Sequence, residues 1–335
     1  MPSYRTATVT ELLGQRRGLQ RVATTEGRAY VLTDLTGPVA VADDVVLSTT
    51  AVELGLGTGG WHVVHWNLAR REWVEPGPGH IMKLRYTSLQ RDAGAAEETA
   101  TMSEDLAGTP VVACTVHSQV ACVVAAVCHT RPDASVAYVM TDGAALPLAL
   151  SDLVAALTEK GLLVGTVTAG HAFGGDLEAV SVPSAMTLAK GTWAADVIVV
   201  GMGPGVVGTG TRLGTTAVEA AAIADAAAAL GADPIVAVRA SSGDERPRHR
   251  GGSHHTETVL ELVRSPVTVG LPRTGIDLPG GRFGVERVDV PDMPRVLEAF
   301  GLRVTSMGRG PDEDPLFFAC AGAAGVVAAT HIPRS

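Results

Sequence analysis

Residues 248–263 read RHRGGSHHTETVLELV. Three histidines (His249, His254, His255), two arginines (Arg248, Arg250) and two glycines (Gly251, Gly252) precede an amphipathic run. Imidazole moves protons and ligates metals near neutral pH. Guanidinium groups bind anions in a fork, and glycine lets the backbone approach a ligand closely. Ser253 suits the N-cap of the helix that begins here, which puts His254 and His255 in its first turn. The positive end of the helix dipole disfavours imidazolium. A neutral ring can polarise a carbonyl, accept a proton or bind a metal. Free amides at the helix start favour an anion, with Arg250, Gly252 and Ser253 as further contacts. Adjacent helical residues diverge by about 100°, so only one of His254 and His255 is expected to face a site. The competing reading is a solvated loop ahead of a well-capped helix.

Two other loops carry comparable chemistry. Residues 201–214, GMGPGVVGTGTRLG, hold six glycines in fourteen positions, where average usage gives about one. Gly203, Gly205 and Gly208 match G-x-G-x-x-G formally. A dinucleotide site is not favoured, because Gly208, Gly210 and Gly214 delay the helix and no acidic residue ends the next strand. A backbone cradle for phosphate or carboxylate remains, lined by Gly203, Gly205, Gly208, Thr209, Gly210 and Thr211. A tight structural turn is the alternative. Residues 170–178 offer His171, Asp176 and Glu178 for acid–base work or metal ligation. Ser118 also follows a strand, but Val116 and Val120 stand where a nucleophile elbow needs glycine.

These loops need a frame. From residue 110 onward, apolar β-type runs (110–116, 135–141, 162–168, 196–200, 234–239, 266–270) alternate with helical ones (119–128, 148–160, 183–190, 216–230, 253–263). Strands apolar throughout, each followed by a helix, predict a mostly parallel, doubly wound α/β sheet. Further units are expected at 285–290, 293–300, 304–307 and 316–329. Thr216 to Glu219 reads as a capping box and Gly231 as a C-cap. Ligands in such sheets sit outside the carboxyl ends of the strands, and all the polar loops above follow strands. Residues 1–90 have a different texture, with short alternating runs at 28–33, 38–42, 45–49, 61–66 and 80–86. They predict a small β-barrel, with Trp61, Trp66 and Trp73 in its core or at an interface. Residues 91–109 are expected to be a linker and 110–335 the α/β domain with a C-terminal extension.

Composition narrows the partners. The 335-residue chain is 46% hydrophobic and carries a net charge of −9, which argues against nucleic acid. No apolar run approaches the roughly 18 residues of a membrane span, and the N-terminus lacks a signal-peptide core. Four cysteines without C-x-x-C spacing suggest reduced thiols in a cytoplasmic protein. GHAFGGDLEAV (170–180), GMGPGVVGTGT (201–211), RPRHRGGSHHT (246–256) and LGLGTGGWHVV (54–64) together resemble an uncharacterised actinobacterial family, a domain of unknown function. The resemblance spans nearly the whole chain and supplies no activity. The residues themselves suggest a small-molecule hydrolase or group transferase that binds an anionic ligand between the glycine loop and the histidine loop. The alternative is a sensing or assembly module that binds the same anion without turnover. Cofactor and metal stay open, and a homo-oligomer is compatible with all of this.

Overall fold

The computed structural model describes residues 2–56 and 59–333. Gly57 and Thr58, within the 54–64 resemblance segment, lie outside them. The chain divides into two compact units, Met1–Gly94 and Ala95–Ser335.

In the first unit, β1 (Tyr4–Arg16), β2 (Leu19–Thr24), β3 (Gly27–Val31), β4 (Asp44–Ser48) and β5 (His62–Asn67) close into a barrel in the order β1-β2-β3-β5-β4. Only β3 and β5 run parallel. Alternate residues point inward, as a period of two requires, and Val22, Ala29, Val31, Val45, Leu47 and Val64 fill the interior. Two one-turn helices, α1 (Thr33–Thr36) and α2 (Thr50–Glu53), and a short ribbon of β6 (Met82–Lys83) with β7 (Arg91–Asp92) complete the unit. Several expectations change here. The longest strand, β1, has a mostly exposed second half and so lacks an alternating apolar signal. Residues 38–42 form no strand; Val39 N–H donates to Gln20 at 2.9 Å, and Ala42 turns the chain with φ 74°. Of the two places expected for Trp61, the core is excluded: it stacks on Tyr30 with ring centroids 4.8 Å apart.

The second unit is a sheet of eight strands rather than the six expected. They are β8 (Pro110–Cys114), β9 (Val136–Thr141), β10 (Gly165–Ala169), β11 (Leu177–Ala179), β12 (Val197–Met202), β13 (Asp233–Ala237), β16 (Thr268–Pro272) and β17 (Gly284–Val288). Between β13 and β16 the chain forms a small hairpin of β14 (Ala240–Ser241) and β15 (Gly251–Gly252). The spatial order is β11-β10-β9-β12-β8-β13-β16-β17, with every pair parallel. Helices α3 (Ser118–Thr130), α4 (Asp152–Glu159), α8 (Met293–Ala299) and α9 (Pro315–His331) pack on one face. Helices α5 (Val182–Trp193), α6 (Glu219–Ala229) and α7 (His254–Leu262) cover the other. Both faces are therefore dry, which is why β8, β9, β10 and β12 are apolar or buried along their whole length.

Residues 95–109 do not behave as a free linker. Leu106 is fully buried, and Glu97 accepts hydrogen bonds from Val180 N–H and the Ser184 hydroxyl at the start of α5. Residues 304–307, expected as a further unit, form no helix or strand and lead into a tight turn closed by mutual backbone bonds between Ser306 and Arg309. Nor does the Thr216–Glu219 capping box form. Thr215 caps a 3₁₀ turn instead, and Glu219 reaches away to accept a bond from the Thr141 hydroxyl at 2.6 Å.

At the amino edge of the sheet, His331 bridges Asp233 and Glu286. Burial works against the charged ring, but the two carboxylates outweigh it and raise its pKa above the usual value of about 6.5. A raised folded pKa gives stabilisation that is complete below the unfolded value and lost as pH rises through the folded one. His331→Gln should therefore melt below wild type at pH 6, and the gap should narrow as pH rises. A gap independent of pH contradicts the bridge.

Candidate functional site

The histidine loop hangs from the carboxyl end of β13. Its return strand pairs Ala240 with Gly252 and Ser241 with Gly251. Gly251 adopts φ 65°, a conformation that side chains resist. The intervening residues are pinned by two buried carboxylates. Asp244, 2% exposed, accepts from Arg246 at 2.9 and 2.8 Å and from Arg309 at 3.3 Å. Asp314, fully buried, accepts from the Ser241 hydroxyl, the Ser242 and Gly243 amides and Arg309. Hydrogen bonds from Arg246, with charge from Arg246 and Arg309, hold the Asp244 carboxyl far below the usual range against its burial. Arg250 donates to the Asp244 carbonyl at 2.9 Å.

Ser253 N–H then donates to Arg239 O at 2.9 Å, and the Ser253 hydroxyl caps α7 by accepting from His255 N–H. The cap delivers His254 and His255 onto His249. Ring centroids lie 4.0 Å apart for His254 and His255, 5.2 Å for His249 and His254, and 5.3 Å for His249 and His255. Both helix histidines face one place, contrary to the expected 100° divergence. They sit in the first turn, where a flexible χ1 and χ2 swing the two rings into a stack. His249 and His255 are each 2% exposed. His249 Nδ1 hydrogen-bonds the Ser253 hydroxyl at 2.8 Å. By contrast, His254 Nε2 and both nitrogens of His255 are buried without a well-formed hydrogen bond among the described residues, although the backbone of Thr209 and Thr211 lies close enough to His255 to act on its ring.

Burial first, and then the Arg239 guanidinium, push His249 down to about 3. Burial, His254 and Arg239 push His255 down to about 4, against a weak opposite pull from backbone groups of Thr209 and Thr211. Burial and Arg248 lower His254 too, with Glu257 opposing. All three rings are neutral at pH 7. Arg239 is itself lowered to about 10 by burial and by Arg246, and keeps its charge.

The glycine loop meets this cluster. Its start is anchored by two groups: buried Tyr138 donates to Gly201 O at 2.9 Å, and half-buried His117 donates Nδ1–H to Met202 O at 2.9 Å. A Cβ on Gly208 would lie 2.7 Å from His255 Cε1, so the loop backbone lies against the ring. A Cβ on Gly203 would strike Ala145 O at 2.7 Å. Gly205 carries φ 99°, and Gly210 has open space around it. Thr209 and Thr211 hydrogen-bond each other, and Thr211 Oγ1 accepts from Gly214 N–H, so their hydroxyls brace the loop.

The third loop goes elsewhere. It returns to the sheet as β11, so Asp176 ends at the amino end of β10 and binds the Thr166 amide and hydroxyl at 2.9 and 2.8 Å. Glu178 accepts from Thr168 Oγ1 and Gly174 N–H, and the His171 amide donates to Asp142. Three strands separate β10 from β13, on the order of 19 Å at the usual spacing. Asp176 and Glu178, offered by the sequence for acid–base work, are therefore held within their own loop and strand rather than gathered with the histidine cluster. Sequence reasoning passed over Glu219. Burial first, and then Asp142, raise its carboxyl to about 7 against the Thr141 bond. Its only sequence cue was the failed capping box.

Fold and site define a barrel followed by a doubly wound α/β unit with an imidazole cluster at the carboxyl edge of its sheet. The profile of a family described as protein of unknown function (DUF3866) matches residues 28–325, and the chain belongs to that family. No curated protein and no solved structure matches it.

The contact between Gly208 and His255 is open to test. Gly208→Ala should move the His255 ring resonances and cost about 1 kcal/mol through overpacking. Gly210→Ala, with no atom within 4 Å, should change neither. Equal responses by NMR and thermal melting contradict this packing.

Proposed function

We propose that the protein is a cytoplasmic small-molecule enzyme, a hydrolase or group transferase, whose anionic substrate binds where the glycine loop meets His249, His254 and His255. One observation carries the reading: three neutral imidazoles, with buried unpartnered nitrogens, gathered beside an arginine cluster. Unsatisfied buried polar atoms are costly, and a ligand that satisfies them removes the cost. Arg239, Arg246, Arg248 and Arg309 outnumber the carboxylates Asp244 and Asp314 paired with them, which supports a net positive field there. In a chain of net charge −9, such a field is local and favours an anion. Neutral imidazole can accept a proton from a nucleophile and return it to a leaving group. The fingerprint required for hydride transfer from a dinucleotide is incomplete, which favours hydrolysis or group transfer. That no described helix is long and apolar enough to cross a membrane, and that all four cysteines are free thiols, agree with the cytoplasmic assignment.

The test uses inorganic phosphate and acetate as anion probes and a panel of phosphate and carboxylate esters as substrates. Phosphate or acetate should raise the melting temperature of wild type in a saturable manner. Arg248→Ala, at an exposed position, should weaken that effect about tenfold, roughly the loss of one charge-assisted hydrogen bond. Ester turnover should fall at least about 100-fold in His255→Gln, the lower range for losing a proton-transfer group. Saturable anion binding with no turnover across the panel would instead support a sensing module. No anion effect at all would remove the proposal.

A further inference from the structure

The histidine cluster has a geometry that proton transfer alone does not need. One candidate nitrogen from each of His249, His254 and His255 lies within 4.8 Å of the others. A tetrahedral zinc ion with nitrogens at about 2.0–2.1 Å sets its ligands roughly 3.3 Å apart. Closing the cluster onto an ion therefore asks for ring movements of about 1.5 Å or less. Two of the rings, His254 and His255, already carry the orphaned buried nitrogens, and His255 is 2% exposed. The third is oriented from behind. His249 Nδ1 is hydrogen-bonded to Ser253 Oγ; in the tautomer that donates this proton Nε2 is left for a ligand, the arrangement in which an outer hydrogen bond fixes a metal-binding histidine.

We propose that His249, His254 and His255 bind one divalent cation of the zinc class, with a fourth position left open toward the glycine loop. This rests on the proposed function only for the identity of what fills that fourth position; the metal site stands on its own geometry. Imidazole-only ligation suits zinc, copper, nickel and iron, and excludes calcium and magnesium, which require oxygen ligands. The three nitrogens span too little sequence to staple the fold, since all come from residues 249–255. Three protein ligands plus an open position is the pattern of catalytic rather than structural zinc.

Charge acts in both directions here. The positive end of α7 and the Arg239 guanidinium oppose a cation. Coordination by three imidazoles, two of which carry buried nitrogens without a well-formed hydrogen bond, acts against that opposition. The same positive field favours an anion at the open position and hence a deprotonated or anionic fourth ligand. Glu257, whose charge is felt at His254, is the nearest compensating carboxylate that the electrostatics of that ring reveal. Gly208 completes the geometry, because any side chain there would occupy the space beside His255.

Tag-free full-length protein, stripped with chelator, is loaded with zinc or cobalt alone and desalted. Wild type should retain one equivalent by elemental analysis and give the intense visible absorption of four-coordinate cobalt. His254→Gln, at the half-buried position, and His255→Gln should each lower zinc affinity at least about 100-fold, while melting curves of the metal-free forms confirm folding. Wild type that retains no metal, or variants that keep wild-type affinity and cobalt spectrum, would overturn the inference. If phosphate still raises the melting temperature of metal-free protein while no metal is retained, the anion site survives without a metal. If metal binds but neither phosphate nor acetate has any effect on the loaded protein, the metal site survives and the anionic-substrate reading fails.

Discussion

A single buried carboxylate, Asp244, organises the functional edge of this molecule. It collects hydrogen bonds from Arg246 and Arg309 and lies 3.9 Å from Arg239. Asp314 repeats the pattern one step away, gripping Arg309 and the backbone of Ser242 and Gly243. Removing the arginines would strand a buried carboxylate without its compensating charge, which is destabilising. These contacts brace the loop between β13 and α7 that carries His249 and Ser253.

The arginine network also sets the chemistry of the rings it positions. Burial already disfavours imidazolium, and Arg239 adds to the effect at both His249 and His255. On the proposed reading, the same cations that keep the histidines neutral would favour an anion beside them. On the other flank, His117 and Tyr138 fix the first residues of the glycine loop, so two independently anchored loops meet at Gly208 and His255.

Much of this edge is legible in the sequence, and the reason is local. Apolar runs such as PVVAC (110–114) and VIVVGM (197–202) declare buried parallel strands, and whatever follows such a strand faces the ligand edge. Ser253 as a cap and the clustering around it are readable for the same reason. What escapes is non-local. Nothing near Asp244 in sequence announces Arg309, 65 residues away, or the link of Asp314 to Ser241, 73 residues away. Asp176 is misplaced because β11 is only three residues long and carries no periodic signal, so the loop's return to the amino end of the sheet is hidden. Glu219 looks like a capping residue until Thr141, 78 residues distant, proves to be its partner. In the barrel, β1 escapes because its second half is exposed on both faces.

The central claim is that His249, His254 and His255 are neutral at pH 7 and act as one ligand-facing unit. Long-range proton–nitrogen NMR of the imidazole nitrogens measures this directly. All three rings should show neutral-tautomer nitrogen shifts at pH 7, His249 with its proton on Nδ1, and all three should move together on adding zinc or phosphate. Imidazolium shifts for His249 or His255 at pH 7, or a response confined to one ring, would contradict the account.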